Sequence, residues 1–178
     1  MRLFVALTLP DGIVARLNIM CSGIPGARWV EPENLHITLR FIGEVDESTA
    51  EEINFNLARI EAPAFDLELN GLGTFGQGHK AHALWVGVTA SAGLLHLQQK
   101  VDAAVTRAGV PPESRKFTPH VTLARLAKPE AGRLQSFIEG NNLFKAGPFT
   151  AEQFTLFESK TGKGGPVYTA LEDYALGS

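Results

Sequence analysis

One tetrapeptide pattern is written twice in this chain, as His36-Ile37-Thr38-Leu39 and as His120-Val121-Thr122-Leu123. Each copy alternates polar with apolar residues, the pattern of a β-strand with one buried face. In a strand, residues i and i+2 share a face at a rise of roughly 3.3 Å per residue. His36 and Thr38 therefore point one way while Ile37 and Leu39 point the other, into a core. His120 and Thr122 repeat this against Val121 and Leu123. A fold for this chain must supply two equivalent strands nearly half the sequence apart, which a diverged duplication would provide.

The 178 residues fit one bilobal domain spanning 1–178. With 44% hydrophobic and 20% charged residues, the chain has the make-up of a soluble globular protein with a sizeable core. A formal net charge of −3 argues against a protein that coats nucleic acid in general, but not against one that grips an RNA end. Cys21 is the only cysteine, so neither an intramolecular disulfide nor a Cys-rich zinc site is possible. The apolar run Leu3 to Leu9 stops at Pro10-Asp11, too soon for a signal peptide or a membrane span. It reads as a buried strand of a cytoplasmic protein.

Strands and helices alternate along the chain. Arg2 to Leu9 reads as a strand, then Asp11 to about Met20 as a helix with Ile13, Val14, Leu17 and Met20 on one face. Arg28 to Val30 suggests a short edge strand. Leu35 to Ile42 carries the first motif and Gly43 ends it; Asp46 or Ser48 opens a helix to about Ile60. Phe65 to Leu69 and Ala81 to Val88 read as paired strands joined by the glycine-rich segment Gly71 to Gly78. Leu94 to Ala108 reads as a helix, Pro119 to Leu126 as the second motif strand, and Pro129 to about Glu139 as a helix. Phe149 to Phe157 and Val167 to Leu171 close the chain as strands. The fold class is α+β: two pseudo-symmetric lobes of antiparallel sheet plus helices, with a central cleft between the motif strands.

The chemistry follows from the pairing. Histidine titrates near about 6.5, so near neutrality one copy can be neutral and the other protonated. Such a pair can take a proton from an attacking oxygen and give one to a leaving oxygen. In-line displacement at phosphorus needs the two groups on opposite sides of one cleft. Thr38 and Thr122 can donate hydrogen bonds to non-bridging phosphate oxygens. Nothing in this scheme requires a metal or other cofactor. His79, His82 and His96 lack the accompanying threonine; the first two border a glycine-rich turn, and His96 sits inside a helix.

On these residues the chain resembles the two-histidine (2H) phosphoesterase superfamily, and within it the RNA 2′,3′-cyclic phosphodiesterases once called 2′-5′ RNA ligases. The resemblance runs through Arg2-Leu3-Phe4-Val5-Ala6, Trp29-Val30, Glu33 to Gly43 and Phe117 to Arg125. It continues in Leu156-Phe157-Glu158-Ser159 and Gly165-Pro166-Val167-Tyr168. It implies metal-independent hydrolysis of a 2′,3′-cyclic phosphate at an RNA end, leaving a 2′-phosphate. His36 would protonate the departing 3′-oxygen and His120 would deprotonate the attacking water, with Thr38, Thr122 and Arg125 holding the phosphate. The same machinery run backwards would give 2′-5′ RNA ligation. The partner is then an RNA end carrying a 2′,3′-cyclic phosphate, with no membrane involved and a monomer as the default state.

The arginines are harder to place. Strict alternation from His120 puts Arg125 on the opposite face unless the strand ends, twists or bulges, whereas Arg40, four residues from His36, falls on the histidine face. Between Arg107 and Arg133 stand Arg107, Arg115, Lys116, Arg125, Lys128 and Arg133 against Glu113 and Glu130, a local basic surplus able to steer an RNA backbone. Trp29, Phe41 or Phe117 could stack a base, although Phe41 shares the apolar face of Ile37 and Leu39. Ser159 to Gly165 lacks the spacing of a phosphate loop, and Lys160-Thr161-Gly162 has no Ser-x-x-Lys to accompany it; the segment reads as a mobile basic loop. Two other enzymatic substrates remain, a small cyclic nucleotide or a 2′-5′ linked oligonucleotide. A non-catalytic RNA-end-binding protein remains from another class.

Overall fold

The computed structural model describes residues 1–177. Its strands are β1 (Arg2–Thr8), β2 (Arg28–Trp29), β3 (His36–Glu44), β4 (Phe65–Phe75), β5 (Ala83–Val88), β6 (His120–Arg125), β7 (Lys145–Ala151), β8 (Gln153–Gly162) and β9 (Gly165–Ala175). The helices are α1 (Asp11–Met20), α2 (Glu47–Ala58), α3 (Ala92–Arg107) and α4 (Ala131–Asn141). Asp46 caps α2 by accepting from Thr49 N at 2.8 Å, and Ser91 caps α3 by accepting from Leu94 N at 3.1 Å. The expected apolar stripe of α3, namely Leu94, Leu97, Val101, Ala104 and Val105, is fully buried. No described helix is long and apolar enough to cross a membrane.

The strands lie antiparallel in the order β7-β4-β5-β6-β3-β1-β8-β9, with β2 added beside β6. The two motif strands meet at the middle. They share a single register pair, Ile37 with Val121, and both residues are fully buried. The sheet thus divides into two halves of like plan, one carrying each motif, and the α+β class with its two lobes holds. The halves exchange strands. Chain leaving the first motif through α2 enters the second half as β4, and chain leaving the second motif returns to the first half as β8.

Several boundaries differ from expectation, and glycine is the usual reason. Gly43 does not end β3; at φ +89° it sits beside a register shift and the strand continues to Glu44. Gly71 likewise sits at a shift inside a continuous β4, so the glycine-rich segment is strand rather than connector as far as Phe75. A bulge accommodates a residue that cannot pair, and glycine tolerates the positive φ. The stretch from Phe149 to Phe157 is two strands, broken at Glu152 where the chain crosses from β7 to β8. Ser159 to Gly165 is no mobile loop: Lys160 pairs with Val167 and Gly162 with Gly165 across the β8–β9 hairpin.

Candidate active site

His36 opens β3 and His120 opens β6, so the strand join at Ile37 and Val121 sets the two imidazoles at the centre of the sheet. Their ring nitrogens are held alike. His36 Nδ1 lies 2.6 Å from the carbonyl oxygen of Asn34, and His120 Nδ1 lies 2.6 Å from that of Thr118, in each case two residues back. A carbonyl only accepts, so Nδ1 carries a hydrogen in both rings and Nε2 is the working atom. His36 Nε2 meets Thr38 Oγ1 at 2.8 Å. Asn34 is itself buried, and its side-chain Nδ2 donates to the Pro166 carbonyl at 3.0 Å, tying the chain before His36 to β9.

Both histidines are held below the ordinary imidazole value. Burial is the main cause for each, opposed by the carbonyl on Nδ1 and reinforced by the positive charge of Arg125. His36 also feels the charge of His120. Burial therefore favours the neutral form of both rings. An anion placed beside an imidazolium acts in the opposite direction, favouring the protonated form.

Aromatic rings wall each imidazole. Phe4 lies 5.0 Å and Tyr168 5.5 Å from the His36 ring; Phe75 lies 5.0 Å and Trp85 6.1 Å from that of His120. Gly73 makes room for this wall, because a Cβ there would collide with the Trp85 ring. Trp85 Nε1 is the one buried side-chain nitrogen or oxygen without a hydrogen-bond partner among the described residues. Sequence reasoning missed these four rings as a set, since aromatic residues on alternating strands also read as core.

The arginines are placed by a pair of matching bulges. Along β6, Trp85 pairs with Thr122 and Leu84 with Ala124, which leaves Leu123 as the extra residue. Along β3, Ala6 pairs with Thr38 and Val5 with Arg40, which leaves Leu39 extra. Each bulge shifts the alternation by one. Leu123 and Ala124 are consecutively buried and Arg125 returns, exposed, to the histidine face. In β3 the same shift turns Arg40 under the sheet and brings out Phe41, 42% exposed. Arg40 is 5% exposed; its Nε donates to Asp102 at 2.6 Å and its other nitrogens donate to the carbonyls of Phe41 and Pro111. The expectation that Arg40 lies on the histidine face and Phe41 in the core is therefore corrected, by one cause. Trp29 and Phe117, the other two base-stacking candidates, pack against the core.

Of the basic surplus, Arg115 pairs with Glu113 at 3.5 Å on the surface, and Lys116, Lys128 and Arg133 are exposed. His82 stacks on Phe75 at 6.2 Å, and His96 lies on the exposed side of α3. Among the described residues, no group of three His, Cys, Asp or Glu side chains is placed to hold a metal ion.

Two imidazoles with like tautomers, each on a strand beside a threonine, thus stand at the join between the two halves of the sheet. The chain belongs to the 2′-5′ RNA ligase superfamily, whose family model matches residues 16–163. It is 37% identical to an RNA 2′,3′-cyclic phosphodiesterase of Aeropyrum pernix, over 94% of this chain and 97% of that protein. A second RNA 2′,3′-cyclic phosphodiesterase, from Aquifex aeolicus, is 32% identical over 84% of this chain and 82% of its own length. Among solved structures, E. coli LigT complexed with 3′-AMP superposes with a TM-score of 0.78 at 29% identity, covering 98% of this chain and 97% of that one.

Proposed function

We propose that this protein hydrolyses the 2′,3′-cyclic phosphate at an RNA end to a 2′-phosphate, by metal-independent acid and base catalysis from its paired histidines. One observation carries the reading: each histidine is fixed through Nδ1 by the carbonyl two residues before it, which leaves Nε2 of both rings as the atom for the reaction. The named activity of its relatives supplies the substrate class. Phosphorus sits between the rings. His120 Nε2 takes a proton from water as the water oxygen bonds to phosphorus. The bond to the 3′-oxygen breaks in line, and His36 Nε2 gives that oxygen its proton. The product is a 2′-phosphate monoester beside a 3′-hydroxyl, and solvent exchange resets the two protons. The direction of proton flow rests on the family resemblance, since both rings are held through Nδ1 in the same way.

Thr38 and Thr122 donate to the non-bridging oxygens, where negative charge grows in the transition state. Arg125, returned to the histidine face by its bulge, neutralises that charge. Phe41, at the matching position of the other half, is exposed with the Arg2 guanidinium 5.2 Å from its ring centroid, a cation and ring pair able to meet the RNA. Both histidines come from one chain and the site needs both halves, so we treat residues 1–178 as one bilobal unit acting as a monomer, in the cytoplasm. Reverse 2′-5′ ligation would use the same groups.

The test is a short RNA ending in a 2′,3′-cyclic phosphate, incubated with chelator, the product being resolved as a 2′- or 3′-phosphate. Turnover to the 2′-phosphate, lost in His36→Ala and in His120→Ala, is the expected result. No turnover by the native protein, or a 3′-phosphate product, contradicts the reading.

A further inference from the structure

Arg28 and Arg125 are directly opposite each other in the β2–β6 ladder. Side chains at such a position share a face with their Cβ atoms about 5 Å apart, and like charges there are destabilising. Both residues are exposed, and neither takes part in an ion pair or a side-chain hydrogen bond among the described residues. Nothing loose has brought them together. β2 is only two residues long and is held to the second motif strand: Trp29 pairs with Ala124, and Val30 N donates to the carbonyl of the bulged Leu123 at 2.8 Å. The Trp29 ring is anchored on Phe137 at 5.7 Å. A rigid, short strand thus presents a second guanidinium beside Arg125 with no acidic partner.

The order along the face adds direction. His120, Thr122 and Arg125 follow one another along β6, and Arg28 stands beside Arg125 at the end away from the histidines. A phosphate at the histidines takes Arg125 as its nearest guanidinium; a second anion one step further out would meet Arg28. We infer that Arg28 binds the phosphodiester immediately upstream of the cyclic phosphate, so that the site selects the end of a polymer over a free cyclic mononucleotide. This rests on the function proposed above and names the substrate more narrowly.

Three substrates test it: a 2′,3′-cyclic mononucleotide, a dinucleotide ending in the cyclic phosphate, and the same dinucleotide with a neutral methylphosphonate linkage. The native enzyme is expected to favour the charged dinucleotide over each of the others by roughly tenfold in kcat/KM, the scale of one charge-assisted contact. In Arg28→Gln both ratios fall to about one, and Arg28→Lys keeps part of each. The salt dependence of dinucleotide turnover drops by about one ion in Arg28→Gln. Equal native turnover of charged and neutral dinucleotides, or an Arg28→Gln variant with native ratios, overturns the inference while leaving the hydrolytic reading intact. Failure of the native enzyme on all three substrates overturns both.

Discussion

Ile37 pairs with Val121, and this one pair joins the two motif strands across the middle of the sheet. Each is the apolar residue between a histidine and a threonine, so the contact that closes the core also sets the spacing of the two imidazoles. Both are fully buried. Ile37→Ala is expected to lower stability by about 2–5 kcal/mol through lost burial and a residual cavity. Urea denaturation measures it. A loss below ~1 kcal/mol would mean that the join is not a point of support.

The two arginines that follow the motifs should separate by experiment. Arg125→Ala is expected to change stability by no more than about 0.5 kcal/mol, as an exposed residue, and to lower kcat/KM on cyclic-phosphate RNA by roughly 10- to 100-fold. Arg40→Ala strands the Pro111 carbonyl and leaves Asp102 without its partner. Asp102 is 31% exposed, so solvent makes up part of the loss and about 1–3 kcal/mol is expected. Chemical denaturation and steady-state kinetics on both variants decide it. The opposite pattern would show that the bulges do not exchange the faces as described.

That exchange also marks where the sequence stops being legible. His36, Thr38, His120 and Thr122 could be read because two residues of alternation suffice to put them on one face. Beyond them a bulge intervenes, and its extra residues, Leu39 and Leu123, are ordinary strand residues with nothing to announce it. Counting by two therefore sent Arg40 to the cleft and Arg125 away from it. Gly43 and Gly71 misled in the other direction, since a glycine at positive φ can stand at a bulge as well as at a strand end. Arg28 became visible only once strand pairing set it beside Arg125.

Hydroxyl donation should appear in kcat. Thr38→Val and Thr122→Val keep shape while removing the donor, and each is expected to cost roughly 100-fold in kcat, the scale of one transition-state donor. Single-turnover rates on saturating RNA measure it directly. An unchanged kcat with a raised KM would make the threonines ground-state contacts only.

The pH profile follows from the depressed imidazoles. Both free-enzyme values lie below the ordinary one, with burial as the leading cause. The form with one ring protonated and one neutral is thus populated on the acid side of about 6.5. The kcat/KM profile, which reports the free enzyme, should peak below that pH and fall as the acid catalyst loses its proton. The kcat profile should peak at higher pH, because bound phosphate raises the imidazolium's value. A kcat/KM plateau extending to pH 8 would contradict this account.

Assignment of acid and base to particular histidines is the central claim, and a change of leaving atom tests it most directly. Replacing the 3′-bridging oxygen of the cyclic phosphate by sulfur gives a leaving group that departs without a proton. His36→Ala should be slow on the oxygen substrate and largely restored on the sulfur one, while His120→Ala should remain slow on both. Restoration of His120→Ala instead would reverse the two roles, and restoration of neither would contradict a general acid at this site.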